Sequence, residues 1–443
     1  MFTLRNIIRF AILTPVVVIL LTIGWYQQAI DHANLPENTL PHPVDDTYII
    51  AGYFINWGIY DRKFNVIDLK AEKLSHILYA FANVNKDGSI VLGVSEKGYD
   101  PWADTDIKFP KDKTIDGVLD PWKENDNDLH GNFKQLALLK QQYRHLKVSL
   151  SVGGYSWSSN FSALAATPET RATFTKTAIQ HLQDLGLDGI DIDWEFPVDT
   201  TDADNYVLLL KEMRTALNDY QLAHDPTDQN FLLSVAMPCG PENYRLLKLG
   251  EMARYVDIFY LMAYDFSGDW DQQIGHQSSL YGGPLNVDQA VTYFENEGGV
   301  PSKKIVMGMP LYGRGFSNTE GKIGSNYKGV PDGSWDKGSF DYKDLPRKGA
   351  KEFMNQERVA SWSYDESKRE FVTYDSPEVA KIKCEYIKDR QLGGAMFWEL
   401  TADNSLDESR SLLETVYNSL GDNLNGIENH IKFPLSKYEN VLH

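Results

Sequence analysis

The chain is predicted to fold as a closed (β/α)8 barrel of the TIM type over residues 47–421, carrying a small α+β insertion at 316–374. Three observations predict it. Short apolar strands alternate with helical periodicity from Thr47 onward, the mark of repeated βα units. Eight such strands can be counted. One of them, Gly189–Glu195, bears a row of acids that ends at its C-terminal residue, the side on which such barrels place their chemistry.

In chain order, Arg5 and Arg9 precede an apolar run, Phe10–Tyr26. Residues 1–26 therefore read as a secretory leader or a signal-anchor. No clean small-residue cleavage site follows, and about 17 apolar residues is the short limit of a spanning helix, so an uncleaved anchor with the rest of the chain outside is favoured. Residues 27–46 contain Pro36, Pro41 and Pro43 and read as a linker. The strands are then Tyr48–Trp57, His76–Val84, Lys147–Gly154, Gly189–Glu195, Phe231–Pro238, Ile258–Tyr264, Lys304–Gly313 and Gly394–Leu400. Apolar residues at three- and four-residue steps predict helices over Phe133–Tyr143, Pro168–Leu185, Asp204–Tyr220, Val287–Glu297 and Pro377–Arg390. Thr167-Pro168 and Ser376-Pro377 each pair an N-cap hydroxyl with proline at the first helical position. Residues 316–374 are too many for a plain loop and hold the alternating runs Val359–Tyr364 and Glu370–Tyr374, hence the insertion. Residues 422–443 are polar and are expected to be a loosely ordered tail.

Composition narrows the partners. Asp+Glu number 62 against Lys+Arg 43, a net charge of −19, which argues against nucleic acid and anionic membrane surfaces and suits a neutral, hydroxyl-rich polymer. Ten Trp and 24 Tyr suit stacking on sugars, although most aromatics are core. Cys239 and Cys384 leave open one bridge or two buried thiols, with thiols favoured. No Cys/His spacing points to a metal and no glycine loop to a phosphate, so no cofactor is expected. Asn160-Phe161-Ser162 is an N-glycosylation sequon. A monomer is expected.

The strand-four stretch reads Asp188-Gly-Ile-Asp191-Ile-Asp193-Trp-Glu195. Alternation puts Asp191, Asp193 and Glu195 on one face and Ile190, Ile192 and Trp194 on the other. Carboxylates about 6–7 Å apart along one face do not all ionise cheaply in a low-dielectric site. They should titrate as a coupled set, with Glu195 held protonated as a general acid. Asp188 has the other parity and reads as a structural residue at the strand's opening.

Asp188-x-x-Asp191-x-Asp193-x-Glu195 resembles the signature of family-18 glycoside hydrolases, the chitinases. The resemblance runs from about Ala51 to Leu420 and is nearest to fungal secreted chitinases with an insertion domain. It implies retaining hydrolysis of chitin and chitin oligosaccharides, endo-acting, with the substrate's N-acetyl oxygen as nucleophile. It also implies that Asp193 orients the acetamide and that Asp191 exchanges a proton with Asp193. On strand six, Met262 and Tyr264 share parity and point inward; the resemblance makes Tyr264 a donor to the acetamide oxygen and Asp265 a sugar contact. Trp398 on strand eight would be the floor beneath a distorted sugar. Core packing is the competing role for Tyr264 and Trp398. Arg314 would lie near Asp265. Tyr53, Trp57, Phe81, Tyr155 and Trp102 are further substrate contacts; relatives usually carry Trp where Tyr155 stands. A chitinase-like lectin would lack the terminal acid, and Glu195 is present. An endo-N-acetylglucosaminidase shares the mechanism, and the insertion and aromatic rim favour chitin over it.

Overall fold

The computed structural model describes residues 47–95, 98–99, 101–120, 127–224 and 230–441. The leader or anchor over 1–26 and the linker over 27–46 lie outside the described residues. Among the described residues no helix is long and apolar enough to cross a membrane.

Eight parallel strands close on themselves. In chain order they are strand one (Ile49–Ile55), two (His76–Val84), three (Lys147–Gly153), four (Gly189–Asp193), five (Leu232–Pro238), six (Ile258–Met262), seven (Ile305–Pro310) and eight (Gly394–Trp398). Each pairs in parallel with the next, and strand eight returns to strand one with Ile49 opposite Gly394. Helices include Gly131–Gln142, Pro168–Leu185, Thr200–His224, Val287–Asn296 and Pro377–Asp389. The two caps form as expected: Thr167 Oγ1 accepts from Thr170 N–H at 3.3 Å, and Ser376 Oγ from Val379 N–H at 3.4 Å.

Strand alternation divides the apolar residues into two cores. Ile50, Phe54, Ile77, Tyr79, Phe259 and Leu261 face the helices, while Ala51, Tyr53, Leu78, Ala80, Ile258 and Tyr260 fill the lumen. A one-residue slip in any strand would exchange these faces, so burial on both sides fixes the register. Trp194 faces outward, stacked on Phe161 at 5.4 Å between ring centroids and packed on Tyr206 at 5.1 Å.

Three expectations are revised. Regular pairing of strand four stops at Asp193, so Glu195 lies two residues beyond it. The 316–374 region forms with its neighbours a five-stranded antiparallel sheet of Tyr312–Phe316, Ser339–Asp341, Lys351–Asn355, Ala360–Asp365 and Glu370–Tyr374. Its one helical piece is the 3-10 turn Tyr342–Asp344, so α+β overstates its helix content, and the sheet starts at Tyr312, ahead of the expected boundary.

The tail is not loose over its described length. Asn429 Nδ2 donates to the carbonyls of Lys140, Tyr143 and Leu146 at 2.9, 3.1 and 2.7 Å. These include groups that the end of helix Gly131–Gln142 leaves without partners. His430 stacks on Phe231 with centroids 3.9 Å apart, and Phe433 and Val441 are buried. The polar composition that suggested disorder thus serves helix capping.

Asp188, fully buried, anchors the same seam. It accepts from Val148 N–H and His430 N–H at 2.7 Å each and pairs with Lys140 at 2.8 Å. Burial pushes its carboxyl up, but Lys140 and His430 outweigh that and hold it well below the ordinary range.

On the opposite face, Arg62 joins the insertion to the barrel. Its guanidinium donates to both Asp341 carboxylate oxygens at 2.9 Å, lies 3.5 Å from Glu399, and stacks on the Trp335 ring at 4.7 Å. Glu399 follows Trp398 directly, so the junction sits beside the strand-eight end.

Candidate active site

The C-terminal ends of the strands gather most of the expected residues. Asp191 is fully buried and lies in register between Ser151 on strand three and Ser234 on strand five. Both serines donate to it, at 2.7 and 2.6 Å, and Tyr53 OH reaches it across the lumen at 3.2 Å. Burial raises its carboxyl, and the three hydroxyls act against the rise.

Asp193 is also buried, and its Oδ1 has no hydrogen-bond partner among the described residues. Burial, then Glu195 and Asp191, push its carboxyl well above the usual range. Glu195 is raised to about 7, by burial first and then by Asp265, while the Tyr155 N–H at its carboxylate acts in the opposite sense. Proton affinity is thus raised along the acidic row, by burial first.

Asp265 stands at φ 58°, a left-handed conformation uncommon outside glycine. Its Oδ1 accepts from Tyr312 OH at 2.7 Å and Arg314 Nε at 2.8 Å, and its Oδ2 from the second Arg314 nitrogen at 2.8 Å. Arg314 is held between the Tyr312 and Trp270 rings, at 5.2 and 5.3 Å. Bidentate pairing of this kind fixes orientation as well as charge.

Below these groups lies an aromatic floor. Trp398 meets Tyr53 edge-on at 5.0 Å and stacks with Phe81 at 5.6 Å. Tyr264 packs on the same lumen cluster and meets Tyr312 at 6.1 Å. Burial, then Asp193 and Glu195, raise the Tyr264 phenol, so it stays a neutral hydroxyl. Met262 is half-buried at the end of strand six, opposite Pro238.

Trp57, Trp102 and Tyr155 stand apart from this cluster. Trp57 and Trp102 are 41% and 48% exposed on turns that Asn56 and Asp104 join by a 3.0 Å hydrogen bond. Tyr155 is 87% exposed, so what it brings to the acid is its backbone N–H, not its ring. Trp157, two residues on, is the aromatic of that loop that packs on the lumen cluster.

Sequence reading missed Ser151, Ser234, Tyr312, Trp157 and Trp270. The two serines carried a signal, since each shares lumen parity with its strand. Trp270 carried none, because only the fold brings its 56%-exposed ring onto Arg314. Cys239 and Cys384 are both buried free thiols.

Comparison with known proteins agrees with this geometry. The chain is 42% identical over 401 residues to Endochitinase 1 of Metarhizium robertsii, covering 89% of this chain and 90% of that protein. It is 42% identical over 398 residues to Chitinase 1 of Aphanocladium album, covering 88% and 89%. Among solved structures, the catalytic domain of psychrophilic chitinase B from Arthrobacter TAD20 superposes with a TM-score of 0.78 at 28% identity, covering 87% of this chain and 98% of that one. The model of the glycosyl hydrolases family 18 matches residues 49–403, and with it the acidic strand, the floor and the insertion: the chain belongs to glycosyl hydrolase family 18.

Proposed function

We propose that the protein is an endo-acting chitinase that cleaves β-1,4 bonds between N-acetylglucosamine units with retention, using the substrate's own acetamide as nucleophile. The observation that carries this reading is the state of the carboxylates. Asp191 is saturated by three hydroxyls, and Asp265 has both oxygens taken by Arg314 and Tyr312. Neither is free to attack a sugar. Asp193 Oδ1, by contrast, is buried and without a partner among the described residues, which leaves it open to receive an acetamide N–H. Glu195, raised to about 7, can arrive protonated and give its proton to the glycosidic oxygen.

In this mechanism Asp193 holds the acetamide and the oxazolinium, with Asp191 sharing its proton, and Tyr264 donates to the acetamide oxygen. Trp398, with Tyr53 and Phe81, carries the distorted sugar. Met262, Asp265 and Arg314 line the same centre, and Trp57, Trp102 and Tyr155 extend the path of the chain. The barrel over 47–421 is the catalytic body, and the insertion, taken from Tyr312 to Tyr374, forms a wall of the groove. The apolar segment over 1–26 would direct the enzyme outside the cell, cleaved or kept as an anchor.

The test is stereochemical. Two displacements at one carbon should give the β-anomer first in a rapid NMR time course, and chitosan stripped of acetyl groups should be a very poor substrate. An early excess of α-anomer would refute acetamide participation.

The pH profile gives a second check. The acid must be protonated, so turnover should fall as pH rises through about 7. Asp265 raises Glu195 by its charge. Asp265→Asn should therefore lower the acid's pKa and move the basic limb of kcat to lower pH. An unmoved or raised limb would show that Asp265 does not act on the acid.

A further inference from the structure

We propose that Ser158 is a positioning residue for the general acid, locking the backbone at Glu195 so that its carboxyl faces the scissile bond; this rests on the reading of Glu195 above. Glu195 lies past the last paired residue of strand four, so no neighbouring strand takes its N–H. A backbone N–H in such a place needs a partner. Ser158 Oγ supplies it at 2.7 Å.

The hydroxyl is itself held. It is buried, and it can donate to Gly154 O at 3.0 Å or Asp193 O at 3.2 Å. Gly154 N–H also donates to Asp193 O at 2.8 Å. The loop therefore grips the end of strand four at two successive peptide groups. Its approach depends on Gly153 and Gly154, at φ 113° and 80°: a Cβ on Gly153 would lie 2.2 Å from Asp193 O, and one on Gly154 2.9 Å from the Phe81 ring. At the start of the same turn the Tyr155 backbone N–H favours the ionised form of the Glu195 carboxyl. One 3-10 turn, Tyr155–Asn160, thus holds the acid residue's backbone through Ser158 and brings the Tyr155 N–H to the side of its carboxyl.

Removing the hydroxyl should loosen both holds. The carboxyl would shift away from the Tyr155 N–H that favours its ionised form, and its affinity for the proton would rise. The other groups facing it would remain: Asp193 and Asp191 on strand four, Tyr264 and Asp265 just past strand six, and Arg314 behind Asp265.

The experiment measures kcat, KM and the pH profile of kcat on a soluble chitin oligomer for Ser158→Ala and Ser158→Thr, with thermal midpoints for both. Ser158→Ala should lower kcat by about tenfold to a hundredfold, the scale of a small misplacement of a reacting group, with KM little changed. Its basic limb should move to higher pH. Ser158→Thr keeps the oxygen and should restore rate and limb together. If Ser158→Ala does not fold, Ser158→Cys, of similar shape with a weaker acceptor, should shift the limb in the same direction with a smaller rate loss. Wild-type rate and limb in Ser158→Ala overturn the proposal. So does a rate loss with an unmoved limb, since that reports only a smaller folded fraction. Glu195→Gln run beside it separates the two readings. An inactive Glu195→Gln with an unaffected Ser158→Ala removes the positioning role alone, whereas an active Glu195→Gln removes the acid assignment beneath it.

Discussion

Glu195→Gln should fold and bind chitin oligosaccharides as the parent chain does and lose about 10²–10⁴-fold in turnover, the usual worth of a positioned general acid. The amide matches the carboxyl in shape and keeps an oxygen for the Tyr155 N–H, but it has no proton to give. The loss should fall on kcat, because the proton moves only in the transition state and oligomer binding is proposed to rest on the aromatic cluster around Trp398. The substitution also removes a like charge from beside Asp193, which Glu195 helps to hold protonated. Binding titrations of the variant should therefore show Asp193 ionising at lower pH than in the parent. Hydrolysis within a few-fold of the parent rate would end the assignment of Glu195 as acid.

The largest effect on stability is expected at Lys383. Its ammonium meets Asp375 at 2.5 Å with both side chains fully buried, and Ser278 Oγ donates to the other carboxylate oxygen at 2.8 Å. Asp375 directly follows the last insertion strand, Lys383 is on helix Pro377–Asp389, and Ser278 is on the loop after strand six. The pair thus pins the point where the chain returns from the insertion to the barrel. Lys383→Met would leave a buried carboxylate with one hydroxyl, and breaking a buried pair from one side costs about 3–5 kcal/mol. A clear fall in the denaturation midpoint is expected, followed by circular dichroism. Removing the stranded charge as well, in Asp375→Asn with Lys383→Met, should recover much of the loss. If the double variant is no more stable than Lys383→Met, the cost lies in packing around the lysine stem and not in the unpaired charge.

Which parts of this molecule could be read from its residues follows from the range over which each signal acts. Strand alternation and helical steps are local, so the eight barrel strands and the main helices are legible, with ends displaced by a few residues. The acidic row of strand four is legible for the same reason: a period of two puts Asp191, Asp193 and Glu195 on one face whatever surrounds them. The carboxylate row was determined by sequence alone, whereas its raised proton affinity comes first from burial, with like charge within the row adding only at Asp193.

What only the tertiary structure decided is which acids are free to react. Asp191 and Asp193 look alike along the strand. Ser151, Ser234 and Tyr53 come from three other strands to saturate the first, and nothing among the described residues does so for the second Asp's Oδ1. Asp265 is occupied because Arg314 arrives on the first strand of the insertion, 49 positions further along the chain. The tail shows the same limit. Its polar residues read as loose until helix Gly131–Gln142 presents the carbonyls that Asn429 caps. A hydrogen bond between residues far apart in the chain leaves no periodic trace in either segment, and its partners are known only once the barrel has closed.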